Sequence, residues 1–188
     1  MSKKLILILL VLVFALLAAG FTAYASLDAK SVEVNQQLAG SIFAGIEVTT
    51  DPFNGTTENR TLLNLYAKGA PGEAHIEVVG GAIPAAEPSG LCPEGTDLEL
   101  TFVDGGFVET FNDHSLLFYV IDESPDADNA LCIDFEGPAM GFFDYIIIGG
   151  AGRFEGATGS ATVEITSWFV TNELTAETGS LSGTVQMP

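Results

Sequence analysis

Two runs of aromatic and β-branched residues, joined through five glycines, constrain this chain more than any other feature. Phe142, Phe143, Tyr145, Ile146, Ile147 and Ile148 precede the glycines, and Thr162, Val163, Ile165, Thr166, Trp168, Phe169 and Val170 follow them. Such residues fill a pleated, half-buried surface, so both flanks are predicted to be strands. Gly149, Gly150, Gly152, Gly156 and Gly159 permit positive φ and close backbone approach, which predicts a compact, wound connection around a buried Phe154. This is a structural loop, and it points to a fold rather than to a reaction.

A strand leading into glycines also invites a dinucleotide-binding reading, but the spacing fails. The motif G-x-G-x-x-G, begun at Gly150 and Gly152, requires glycine at 155, where Glu155 stands, and the following segment reads as a strand where a helix is needed. A carboxylate there would repel the pyrophosphate. No GK[ST] sequence is present, so a P-loop is excluded as well.

The run Gly149-Gly150-Ala151-Gly152-Arg153-Phe154-Glu155-Gly156-Ala157-Thr158-Gly159 resembles the Gly-Gly-x-Gly-x-Phe-x-Gly-x-x-Gly signature of the allene oxide cyclase and dirigent barrel superfamily. In that superfamily the signature joins two late strands of an eight-stranded antiparallel barrel. The segments Phe143–Ile148 and Ser160–Ile165 are similar to those strands, so the match extends over about thirty residues. The resemblance is to uncharacterised secreted members, and it implies fold more than activity. Enzymatic members guide a cyclisation with a carboxylate and a neighbouring amide inside an apolar barrel, whereas dirigent members steer radical coupling without supplying the oxidant. Glu33-Val34-Asn35 is similar to the E-x-N pair of the cyclases, but its surroundings do not match and no catalytic role is carried over.

Met1-Ser2-Lys3-Lys4 followed by the apolar run Leu5 to Phe21 and by Ala23-Tyr24-Ala25 is the pattern of a secretory signal with an A-x-A cleavage site. Residues 1–25 are therefore expected to be removed, leaving a β-barrel domain over 26–188. An uncleaved N-terminal membrane anchor is the alternative, and no later segment is apolar enough to span a bilayer. The expected location is secreted or periplasmic. Losing Lys3 and Lys4 takes the formal charge from −19 to −21, balanced only by Lys30, Arg60, Lys68 and Arg153. Such a surface repels phosphate backbones and excludes nucleic acid as a partner.

Cys92 and Cys132 are the only cysteines, and in an exported chain an isolated pair is most simply a disulfide. A zinc site would need both His75 and His114, without the spacing that brings ligands together, so no metal and no cofactor is expected. Asn54-Gly55-Thr56 and Asn59-Arg60-Thr61 are glycosylation sequons if the host is eukaryotic.

The remaining strand signals are Ser31–Asn35, Ile42–Val48, Leu62–Tyr66, Ala74–Val79, Asp97–Phe102, Phe107–Phe111, Ser115–Ile121, Leu131–Phe135 and Thr178–Val185. Gly69-Ala70-Pro71-Gly72 and Asp104-Gly105-Gly106 read as hairpin turns, and Gly80 to Pro93 as a loop that a disulfide could tie down. Helical periodicity is missing outside the signal. The expected fold is all-β, a single antiparallel barrel of eight to ten strands.

Asp113-His114-Ser115 brings together three triad residue types, yet neighbours on one turn diverge in space, and no G-x-S-x-G elbow is present. The acidic loop Asp122 to Asn129 offers oxygen ligands of the kind calcium prefers but lacks the glycine and distal glutamate of an EF-hand. The expected function is non-catalytic: an exported barrel that binds a small apolar ligand or serves a surface or structural role. The alternative is an isomerase, a cyclase or a dirigent-like guide working in the barrel cavity. Phe102, Phe118, Tyr145 and Trp168 are the candidate ligand-binding residues, some of them lining a narrow, mostly apolar cavity with no inward-facing pair of acid and base.

Overall fold

In the computed structural model, residues 30–51, 56–170 and 174–188 are described, with side chains for 30–41, 63–170 and 175–188. The segment 1–25, expected to be a signal, lies outside the described residues, as do Asn54 and the Asn59 side chain of the two sequons. Among the described residues nine strands follow in order: β1 (Ser31–Asp51), β2 (Thr56–Ala70), β3 (Ala74–Pro84), β4 (Leu98–Phe111), β5 (Leu116–Ile121), β6 (Asn129–Ile133), β7 (Ala139–Ala151), β8 (Thr158–Phe169) and β9 (Leu174–Gln186). A 3₁₀ turn, Gly152–Phe154, sits between β7 and β8.

Every pairing is antiparallel, and β1 pairs with both β2 and β9 while β3 pairs with β4, so the sheet closes on itself. Strands β5 and β6 occupy one position between β4 and β7, end to end: β5 pairs with Gly106–Thr110 of β4, and β6 with Leu98–Thr101. The result is a closed eight-column barrel, and closure removes the exposed sheet edges that an open sheet would have to protect.

Period-two alternation determines what the barrel contains. Val34, Gln36 and Leu38 of β1, Ala74, Ile76 and Val78 of β3, and Ala161, Val163 and Ile165 of β8 all point inward and are buried. Glu33 and Asn35, of the opposite parity, are exposed, so the E-x-N tripeptide faces solvent.

One sequence expectation is corrected by the pairing. Asp104-Gly105-Gly106 is not a hairpin turn but the middle of the continuous strand β4. The glycines serve close approach instead: Gly105, at φ 142°, lies opposite Gly80, and a Cβ on it would stand 2.8 Å from the Gly80 Cα. Next to this crossing the β3–β4 register shifts, between Gly81 and Ala82, as in a β-bulge.

The lower end of the barrel, where β4 leads into β5 and β7 into β8, is plugged. Phe154 is 2% exposed, and its ring lies 4.9 Å from that of Phe111. The Arg153 guanidinium covers both rings at 4.6 and 4.7 Å and pairs with Asp113 at 3.4 Å. Gly152 turns the chain at φ 65°, beside Ser115, whose Oγ accepts a hydrogen bond from the Arg153 N–H. At Gly150 a Cβ would come within 2.6 Å of the Phe154 and Leu116 carbonyl oxygens. The glycine run thus winds the chain tightly enough to press Phe154 into the barrel mouth.

Cys92 and Cys132 form a disulfide with Cα atoms 5.4 Å apart, tying the loop after β3 to β6. Among the described residues no helix is long and apolar enough to cross a membrane.

Candidate functional site

The inward side chains sort into two levels. In the upper half, Leu38, Leu65, Ile76, Val163 and Ile165 meet the rings of Phe102, Phe107, Phe143 and Tyr145 around a small chamber of about 30 Å³. Phe107 stands edge-on to Tyr145 at 4.8 Å, and Phe102 tilts against Phe143 at 4.7 Å, geometries that aromatic quadrupoles favour. Among the described residues the lining is aliphatic and aromatic, and the Tyr145 hydroxyl is the one ionisable group on it. Burial pushes that hydroxyl well above its ordinary range, so it stays protonated.

Directly beneath the chamber lies a buried polar layer. Glu109 sits between Phe107 and Phe111 on the inner face of β4 and is 0% exposed. Gln36 Nε2 donates to Glu109 Oε1 at 2.5 Å and to the Gly72 carbonyl at 3.0 Å, and the Tyr119 hydroxyl donates to Glu109 Oε2 at 2.9 Å. Tyr119 in turn stacks on Phe107 at 4.0 Å, which links this layer to the chamber floor. Gln36 Oε1 is buried without a hydrogen-bond partner. A second carboxylate, Glu177, is 2% exposed near the upper rim, where Ser167 and Thr175 hydroxyls donate to it at 2.6 and 2.8 Å.

The interior thus carries two acids, since β4 and β9 each turn a glutamate inward, but neither is among the described residues of the chamber wall. Burial is the largest influence on Glu109 and raises its carboxyl above the ordinary value of 4.5, against the opposing effects of Gln36, Tyr119 and the Arg153 charge. Glu177 is raised for the same reason, with Ser167 and Thr175 opposing. A group that holds its proton more tightly when folded contributes stability that is complete below the unfolded value and is lost as pH rises through the folded one. Stability is therefore expected to fall as pH climbs above 4.5. Glu109→Gln keeps the shape and removes the charge, so its denaturation free energy, followed from about pH 4 to pH 8, should decline less steeply than that of the wild type. Parallel profiles would show that Glu109 titrates alike in both states.

The four candidate aromatics divide by strand parity. Phe102 and Tyr145 line the chamber. Phe118 lies between inward Leu117 and Tyr119, so its ring faces outward, near Val108 and Gly149. Trp168 follows inward Ser167 and is 45% exposed, so it does not line the chamber. Both were expected inside because aromatic residues occupy consecutive or near-consecutive positions there, and a strand can turn only every second one inward.

Asp113, His114 and Ser115 form the turn between β4 and β5. Asp113 Oδ1 accepts from the Ser115 N–H at 3.0 Å, which holds its carboxyl below the ordinary range, and His114 donates its N–H to the Phe111 carbonyl. The trio makes a turn, and its side chains do not form a relay. In the acidic loop, Asp122 accepts from Ser124 and from the Asn129 side chain, and Asp144 accepts from the Asp128 N–H. Among the described residues no three histidine, cysteine, aspartate or glutamate side chains gather into a metal site.

No family model matches the chain, and no curated protein matches it. Among solved structures it is similar to the pterocarpan synthase dirigent protein PsPTS1, with 14% identity over 85% of this chain and 97% of that one and a TM-score of 0.47. It is also similar to the pterocarpan synthase dirigent protein GePTS1, with 12% identity over 87% and 89% and a TM-score of 0.44. The antiparallel barrel that the glycine signature implied is the fold that the strand pairings give.

Proposed function

We propose that this is an exported barrel that holds a small, neutral apolar molecule in its upper chamber and acts by shape, as a dirigent-like guide does, without acid–base chemistry of its own. The observation that carries this reading is the division of the interior. The chamber wall is aliphatic and aromatic, while the nearby carboxylate lies below the floor with both oxygens engaged by Gln36 and Tyr119. A general acid or base must reach the reacting atom. Glu109, fully buried and already hydrogen-bonded, is presented to its neighbours rather than to the chamber. The disulfide supports export, because such bonds persist in oxidising compartments.

Trp168 lies outside the chamber, so binding is best read from the ligand. The fluorescence of 1-naphthol should change saturably with one site per chain. Val163→Phe, which puts a ring into the chamber at an expected cost of ~1–3 kcal/mol, should abolish the change while the protein remains folded. Unchanged binding by a folded Val163→Phe variant would remove the chamber from consideration.

A further inference from the structure

The chamber at rest holds about 30 Å³, room for a water-sized group and not for an organic molecule. Some part of its wall must therefore move if a ligand is to enter, and one lining residue differs from the rest. Phe102 lines the chamber on one side and, on the other, a surface cleft of about 510 Å³ formed by β4, Ser89, Leu91 and the loop Glu123–Asn129. Among the described residues no other borders both.

The barrel wall is interrupted at this point. The β4–β6 ladder ends at Thr101 and the β4–β5 ladder begins at Gly106, so the loop between β5 and β6 stands opposite the span 102–105 instead of a strand. The β7 side stays closed, with the Asp122 N–H donating to the Asp144 carbonyl and the Asp144 N–H to the Asp128 carbonyl. The opening is thus a one-sided window in β4. Phe102 fills it, half-buried, with its ring against Gly80, where a Cβ would collide with it, and against Phe143. The bulge beside Phe102 and the lack of a side chain at Gly80 leave that ring a path out of the wall that residues packed within continuous ladders do not have. The lower end of the barrel is shut by Phe111, Phe154 and Arg153.

We infer that the ligand reaches the chamber sideways, through the barrel wall, and that Phe102 is the gate: its ring swings toward the cleft, joins the two spaces and closes behind the molecule. This inference rests on the chamber reading above and adds the route and its selectivity. Glu123, Asp126 and Asp128 border the cleft, so an entering molecule passes a negative rim, which favours neutral over anionic compounds of the same shape.

Stopped-flow mixing with 1-naphthol tests the route on the whole mature chain. Phe102→Ala removes the gate and should accelerate association at least about tenfold, the rate gain that a barrier lowering of ~1.4 kcal/mol produces. Ala127→Trp places a ring in the cleft, away from the chamber and the core, and should slow association several-fold with little change in the amplitude at saturation. At low salt, 1-naphthalenesulfonate should associate more slowly than 1-naphthol. If the wild type binds 1-naphthol and Ala127→Trp leaves the rate unchanged, the side route is overturned and the chamber reading stands. If 1-naphthol fails to bind the wild type and Phe102→Ala alike, both are overturned. A sulfonate that enters as fast as the naphthol overturns the charge selection alone.

Discussion

Replacing Phe154 by alanine is expected to remove ~3–5 kcal/mol of stability, the loss measured when large buried rings are truncated in cores that cannot collapse around the gap. The site cannot collapse easily. Phe154 packs on Phe111, lies under the Arg153 guanidinium and is held by a 3₁₀ turn whose neighbours Gly150 and Gly152 already approach Leu116 and Ser115 too closely for a side chain. The loss also reaches the polar layer, because Phe111 lies two residues from Glu109 on the same inner face. Water admitted through the emptied plug would hydrate that carboxylate and lower its pKa. Denaturant unfolding gives the free energy, and a loss below about 1 kcal/mol would show that the ring only covers the surface.

Removing the disulfide is the second large effect. The bond spans 40 residues, and the chain-entropy relation assigns such a closure about 4 kcal/mol. Cys92→Ser with Cys132→Ser should show that loss in denaturant midpoints, with the m-value rising as the unfolded chain expands. The bond anchors a long, polar loop beside the cleft, and Cys132 is itself 2% exposed within β6, opposite Met140. An unaltered midpoint would mean that the loop is held by its other contacts, such as the Ala85 N–H donating to the Glu99 carbonyl.

Strand content was legible because it depends on local pattern. Phe142–Ile148 and Leu98, Leu100 and Phe102 show aromatic and alternating signals that neighbours along the chain are enough to reveal. The Asp104-Gly105-Gly106 turn failed for the opposite reason. Glycines permit a turn and a close strand crossing equally well, and only the partner Gly80, some twenty-five residues earlier, decides between them. Trp168 and Phe118 take outward positions through strand parity, which the size of their side chains does not reveal.

Parity would also have found the acids. Glu109 shares a face with Phe107 and Phe111, and Gln36 with Val34 and Leu38, so each polar residue sits in register with apolar neighbours that must point inward. What no pattern could supply is their convergence, since Gln36 and Glu109 are 73 residues apart and meet only when the barrel closes. The window at Phe102 was hidden in the same way. It arises because β5 and β6 share one column, a fact of topology that neither strand's sequence carries.

The most direct test of the chamber is methyl NMR during titration with 1-naphthol. The methyl groups of Ile76, Val163 and Ile165 line the chamber, while Ile146 and Ile148 lie on the outer face of the same barrel at 41% and 59% exposure. The expected result is a saturable shift of the first set at one ligand per chain, with ring-current displacements, and no shift of the second. Shifts confined to Ile146 and Ile148, or none in either set, would contradict a ligand held inside the barrel.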